Sequence, residues 1–172
     1  MKTFNQYITE VFDTPYTWRG GRIGKGVITP ENDAEIEDYT FRTSDDGSVE
    51  INASHFWIKF GDPYLGKKIK KEGHAIGIEF SKDGSYNMSD EGDALRILAT
   101  VLDIMKSIIK KHEPVTLYFS ADKTQDGGYS GREKTGRAKA YTALVKRFAS
   151  KAGYKSDAQD SPVKVEWTLT KK

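Results

Sequence analysis

The stretch YNMSDEGDALRILATVLDI, from Tyr86 to Ile104, decides the fold predicted for this chain. Its second half carries an apolar stripe at helical spacing, which continues to Ile109 and predicts a long helix buried on most sides. Basic residues over 110–112 suit the negative end of the helix dipole, and Pro114 stops the helix. The turn at Gly92 opens this helix, so the chemistry of that turn bears directly on function.

Strand patterns lie on both sides of this helix. Before it, YTFRTSDDGSVEINASHFWIKF (39–60) predicts a hairpin with a bulge near Ser54, and HAIGIEFS (74–81) predicts a third strand. After it come an apolar strand, VTLYFSA (115–121), a second helix over about 132–152, and a closing strand, VKVEWTLT (163–170). A short amphipathic helix over 1–15 precedes them, and the Gly-rich WRGGRIGKG (18–26) reads as a loop. The sequence therefore predicts a single α+β domain over 1–172 with the order α-β-β-β-α-β-α-β.

Composition narrows the classes of chemistry. The chain has 172 residues, a formal net charge of +2 and no cysteine, so it offers neither a disulfide nor a thiolate. Its three histidines, His55, His74 and His112, stand far apart without an HExxH or HxH pattern, so the spacing predicts no metal site. No apolar run is long enough for a membrane span, and the first residues are too polar for a signal peptide. We expect no membrane partner.

Charge is segregated along the chain. Eight acids stand against one base over 31–50, and eight bases stand against one acid over 132–155. Two solvated faces would explain this pattern, and so would a basic docking surface for an acidic partner or nucleic acid. The bases of the predicted second helix that would form such a surface are Arg132, Lys134, Arg137, Lys139, Lys146, Arg147 and Lys151.

The segment GREKTGRA (131–138) nearly matches a P-loop. Arg137 replaces the lysine that contacts phosphate, and Ala138 replaces the hydroxyl that binds Mg²⁺. Too few residues follow for the rest of a P-loop domain. The sequence therefore predicts no nucleotide hydrolysis, although a basic helix start still suits an isolated phosphate.

From Tyr39 onward, the order of elements resembles the GNAT family of N-acetyltransferases, in which an antiparallel meander is followed by helix-strand-helix-strand. The family's loop, Gln/Arg-x-x-Gly-x-Gly/Ala, falls here on Ser89, Gly92 and Ala94, with Ser89 departing from the pattern. The resemblance implies a GNAT-like core over 39–172 and acetyl-CoA bound by these residues. It also implies Glu79 as a base and Tyr141 as the acid that protonates the thiolate.

The turn at Gly92 also has a purely structural interpretation. Asp90, Glu91 and Asp93 surround it, and each like charge about 4 Å from a pyrophosphate costs on the order of 1–4 kcal/mol near a surface. The same carboxylates, with Ser89 or Asp90 as N-cap, satisfy the free amides of a helix start. We therefore favour a capped helix start over a phosphate site.

The two ends of the chain carry a second resemblance. MKTFNQYITEVFDTPYTW at the start and YFSADK with GRAKAYTALVKRFASKAGY towards the end are similar to small proteins of tailed bacteriophages. The resemblance implies a phage protein located in the virion or the host cytoplasm. The favoured interpretation is a non-catalytic binding protein for a virion or host protein, using the basic helix and no cofactor. An acetyl-CoA-dependent N-acyltransferase and a nucleic-acid-binding protein remain the alternatives.

Overall fold

The computed structural model describes residues 14–21, 35–62, 69–83, 94–122, 134–161 and 164–172, with only the backbone described at 94, 121, 122 and 134–141. The strands are β1 (Trp18–Gly20), β2 (Glu35–Arg42), β3 (Ser48–Ile58), β4 (Gly73–Lys82), β5 (Thr116–Asp122), β6 (Tyr154–Asp160) and β7 (Lys164–Lys171). The helices are α1 (Ala94–His112), between β4 and β5, and α2 (Lys134–Lys151), between β5 and β6.

The described strands form one mixed sheet in the order β1-β2-β3-β4-β5-β7-β6. Strands β4 and β5 pair in parallel, from Ala75 opposite Thr116 to Ile78 opposite Phe119, and the other neighbours pair antiparallel. Parallel neighbours need a crossover, and α1 supplies it. This crossover places the end of α1 close to the point where β5 begins.

The main core lies on the face of the sheet that carries both helices. Because successive side chains alternate in a strand, Val49, Ile51 and Ala53 of β3 share that face, and all three are fully buried. The helices add buried residues from α1 and α2 to the same cluster: Ile97, Leu98, Val101, Leu102, Ile104, Met105, Ile108, Leu144, Val145 and Ala149. The apolar stripe predicted for the long helix is confirmed, and so is its end before Pro114, since α1 stops at His112.

The chain before β2 packs against both α1 and the sheet. The backbone amide of Tyr16 donates to Thr100 Oγ1 at 2.9 Å, and the indole of Trp18 donates to Asp103 at 2.9 Å. The ring of Tyr16 stacks on Phe41 of β2 with centroids 5.6 Å apart. These contacts hold β1 beside β2 at the edge of the sheet.

The predicted GNAT-like order of elements is wrong. The described chain reads β-β-β-β-α-β-α-β-β, with β1 and β6 as two strands that the sequence interpretation lacked. Trp18–Gly20 was assigned to a loop for its glycines, yet Gly20 has a φ of +133° and lets β1 approach the backbone of β2 closely. The segment YKSDAQD of β6 is mostly exposed and polar, so apolar alternation could not reveal it, and its pairing with β7 is made by the backbone.

The start of one strand and the pairing of another also differ from the prediction. Strand β2 begins at Glu35 rather than Tyr39, and the pairing of β3 with both neighbours is continuous through Ser54, without the predicted bulge. The apparent break in alternation after Ala53 arises because His55 continues the core face, whereas Phe56 and Ile58 belong to a smaller cluster formed with Ala75 and other residues.

The predicted N-terminal helix lies almost wholly in residues 1–13, outside the described part. No helix in the described residues is long and apolar enough to cross a membrane.

Candidate functional site

The second helix presents part of the predicted basic surface. Lys146, Arg147 and Lys151, which we call the basic face, are exposed, whereas Leu144 and Val145 are buried against the sheet. None of the three pairs with a carboxylate among the described side chains. The helix therefore holds three positive charges free for a partner, as far as the described residues show.

The other predicted residues of this surface are less fully placed. Lys134, Arg137 and Lys139 lie in the backbone of α2, but their side chains are outside the described set, and Arg132 precedes the helix in an undescribed segment. The seven predicted residues therefore reduce to three whose exposure is established.

Residues implied by the acetyltransferase resemblance are not brought together in the described structure. Ser89 and Gly92 lie outside it, Ala94 is the first residue of α1, and only the backbone of Tyr141 is described. Glu79 is exposed on β4 beside the buried Phe80, so the two side chains point to opposite faces. Binding of acetyl-CoA therefore stays a prediction.

A buried polar cluster, which the sequence interpretation missed, lies under the end of α1. We call Glu37, His55, His74 and His112 the histidine cluster; it contains every histidine of the chain. Glu37 Oε2 accepts hydrogen bonds from Nε2 of His55 at 3.2 Å and from Nε2 of His112 at 2.9 Å. His55 Nδ1 lies 2.9 Å from His74 Nε2. Glu37 and His55 are fully buried, and only 16 % of the His112 side chain is exposed.

Four secondary-structure elements, three strands and one helix, position this cluster. Glu37 comes from β2, His55 from β3 and His74 from the start of β4, while His112 is the last residue of α1. Lys111, from the same helix turn, donates to Glu37 Oε1 at 2.5 Å and to the carbonyl of Gly21 at 2.9 Å. The cluster therefore rests on the sheet and the helix rather than on a loop.

The electrostatics of Glu37 favour its ionised form. Burial raises the pKa of this carboxyl, but hydrogen bonds from Lys111, Tyr39 and His112 outweigh burial and leave the pKa below its ordinary value. The pKa of the Tyr39 hydroxyl is raised, first by burial and then by the neighbouring Glu37. A carboxylate and a neutral phenol therefore sit side by side in the core.

Two of the histidines are held neutral. Burial and the nearby His112 lower the pKa of His55, although Glu37 acts in the opposite direction. Burial and the other two rings lower the pKa of His74 to about 4, partly opposed by a hydrogen bond to the backbone of His112. Neutral imidazoles are the form in which histidine binds metals.

A signal for this cluster was present in the sequence, although no motif encodes it. Alternation places His55 on the face of Ile51 and Ala53, and His74 on the face of Ile76. Helical spacing places His112 in line with Ile108. The three histidines thus extend three apolar stripes, and two of them lie at an end of their element, His74 near the start of β4 and His112 at the last position of α1. Glu37 was counted with the acidic segment over 31–50, yet it is buried beside the histidines.

Comparisons with protein-family models, with curated proteins and with solved structures find no match to this chain. The geometry described above is therefore the basis for any functional conclusion.

Proposed function

We propose that this chain is a non-catalytic binding protein that uses the basic face of α2 to bind an acidic surface on a protein partner. The single observation that supports it is the exposure of Lys146, Arg147 and Lys151 without a carboxylate partner among the described side chains. On the phage resemblance, the partner would be a virion component or a host protein.

The way α2 is anchored suits a docking surface. Val145 and Ala149 are fully buried, and the indole of Trp167 on β7 donates to Thr142 at 3.2 Å. The basic side chains therefore project from a helix that is fixed to the sheet. A fixed helix loses little backbone entropy on binding, which favours affinity.

A protein partner is favoured over nucleic acid by the position of one aromatic residue. Tyr154 follows the basic helix and could offer a ring for stacking on bases, but it is only 2 % exposed and its hydroxyl donates to the carbonyl of Pro114 at 2.6 Å. Stacking on exposed aromatic side chains contributes much of the affinity for single-stranded nucleic acid. Tyr154 therefore adds nothing to the charge of the basic face for such a ligand.

The test replaces Lys146, Arg147 and Lys151 by glutamine and measures binding of polyglutamate by titration calorimetry. Exposed ion pairs contribute about 0.2–1 kcal/mol each, so three lost pairs should weaken binding between about 3- and 150-fold. The matched control replaces Lys59, Lys70 and Lys71, which are also exposed but lie near the ends of β3 and β4, and should leave binding unchanged.

Two results would contradict the proposal. One is equal weakening in the control variant, which would show that net charge alone matters. The other is tighter binding of a DNA duplex than of polyglutamate, with a steep loss of affinity as salt rises, which would favour the nucleic-acid alternative.

A further inference from the structure

The histidine cluster has a geometry that suits a metal ion. One potential ligand atom from each of Glu37, His55 and His112 lies within 4.8 Å of the other two. Ligand atoms about 2.0–2.1 Å from a tetrahedral zinc ion lie about 3.3 Å apart. The distances from Glu37 Oε2 to Nε2 of His55 and Nε2 of His112, 3.2 Å and 2.9 Å, are close to that spacing.

We propose that Glu37, His55 and His112 bind one divalent transition-metal ion of the zinc type through these three atoms. Two imidazoles and one carboxylate form a borderline ligand set, which suits Zn²⁺ or Co²⁺ better than Mg²⁺ or Ca²⁺, since those ions prefer oxygen ligands throughout. Three protein ligands leave a fourth position for water. The site is independent of the basic face on α2.

The second ring nitrogen of His55 gives a further argument. His55 Nδ1 lies 2.9 Å from Nε2 of His74, within hydrogen-bond distance. With a metal ion on Nε2, His55 donates its Nδ1–H to His74 Nε2. A ligating histidine normally donates its other N–H in this way, which fixes the ring for the metal.

The charges around the site also accommodate a cation. Glu35 lies directly opposite His55 in the β2–β3 ladder, and its Oε2 is buried without a hydrogen-bond partner among the described residues. The carbonyl end of α1 at His112 adds the negative end of a helix dipole. Lys111, whose side chain is 45 % exposed, binds the other oxygen of Glu37 and leaves Oε2 to the two histidines.

The first experiment uses the purified full chain, stripped with EDTA, and titrates it with Co²⁺ and then Zn²⁺. We expect one Co²⁺ per chain, with the intense visible absorption of a tetrahedral or five-coordinate site, bleached on addition of one equivalent of Zn²⁺. Absence of one-to-one binding at micromolar metal would overturn the proposal. This measurement needs no variant, so a folding defect cannot obscure it.

The second experiment assigns the ligands. His112→Gln and Glu37→Gln should abolish stoichiometric binding, and His74→Gln should weaken it about 10- to 100-fold because His74 only orients His55. Asp38→Asn is the matched control, since Asp38 neighbours Glu37 on β2 but is exposed on the opposite face. Unchanged affinity in His112→Gln, with its fold confirmed by circular dichroism, would place the metal elsewhere and refute the assignment.

Discussion

Mild acid should destabilise the metal-free protein through His74. The pKa of this imidazole falls from an ordinary value of 6.5 to about 4 in the fold, so between these values the unfolded chain binds a proton that the folded chain does not. Stability must then decrease as the pH falls, because the unfolded state holds more protons. For these two values, linkage gives a loss of about 2 kcal/mol at pH 5 and about 3 kcal/mol at pH 4.

Urea denaturation in EDTA at several pH values between 7 and 5 would measure this effect. His55 should add to the decline, since burial lowers its pKa as well. Glu37 contributes in a different window: its lowered pKa supplies stability above about 4.5, which is lost only as the pH falls through the lower folded value. The interval from pH 7 to 5 therefore isolates the histidines.

His74→Gln is the variant that tests whether titration of His74 causes this loss of stability. Glutamine keeps a polar side chain but does not titrate, so the decline between pH 7 and 5 should be smaller by about 2 kcal/mol in this variant. The reasoning would be refuted if the wild-type protein kept the same free energy of unfolding across this interval, or if the variant lost as much as the wild type.

Three further predictions concern packing and ligand binding. Tyr154→Phe should lower the free energy of unfolding by about 1–3 kcal/mol in urea, because the buried carbonyl of Pro114 loses its donor. Gly20→Ala should lower the free energy of unfolding by at least about 1–3 kcal/mol in the same assay, because the alanine Cβ would lie 2.1 Å from the carbonyl oxygen of Asp38. Zinc at about 100 times its dissociation constant should add about 2.7 kcal/mol to the free energy of unfolding, which raises the melting temperature by about 5–11 °C.

Each of these predictions has a control within the chain. Tyr118→Phe should be nearly neutral, since its hydroxyl is buried without a partner among the described residues. Gly61→Ala shares a positive φ with Gly20 but meets no atom within 4 Å, so it should cost less than Gly20→Ala. His112→Gln should show no zinc-dependent rise in melting temperature. Equal effects in a variant and its control would contradict the corresponding reasoning.

Elements with a strong apolar pattern could be predicted from the sequence. The stripe that ends at Ile109 defined α1, and the alternation through Ile76, Ile78 and Phe80 defined β4. These patterns are reliable because burial of one face imposes them. The edge strands β1 and β6 escaped prediction, because backbone pairing holds them and their side chains are mainly exposed.

The two candidate sites differed in how far the sequence could predict them, and the reason is related. The exposed bases of α2 could be read directly, because they are neighbours in the sequence. The histidine cluster could not, because His55 and His112 meet only when β3 and α1 take their places, and a motif search examines local spacing alone. Their positions at the ends of apolar stripes become informative only when several stripes are compared.

The position of β7 has a consequence for how the chain is made. This strand follows β5 and β6 in sequence, yet it lies between them and supplies the only described neighbour of β6. While residues 164–171 are still inside the ribosome, β5 has an unpaired edge and β6 has no described strand to pair with. Unpaired strands of this kind favour association with other nascent chains. Truncation before Lys164 should fix the chain in that state, with insoluble material as the expected product.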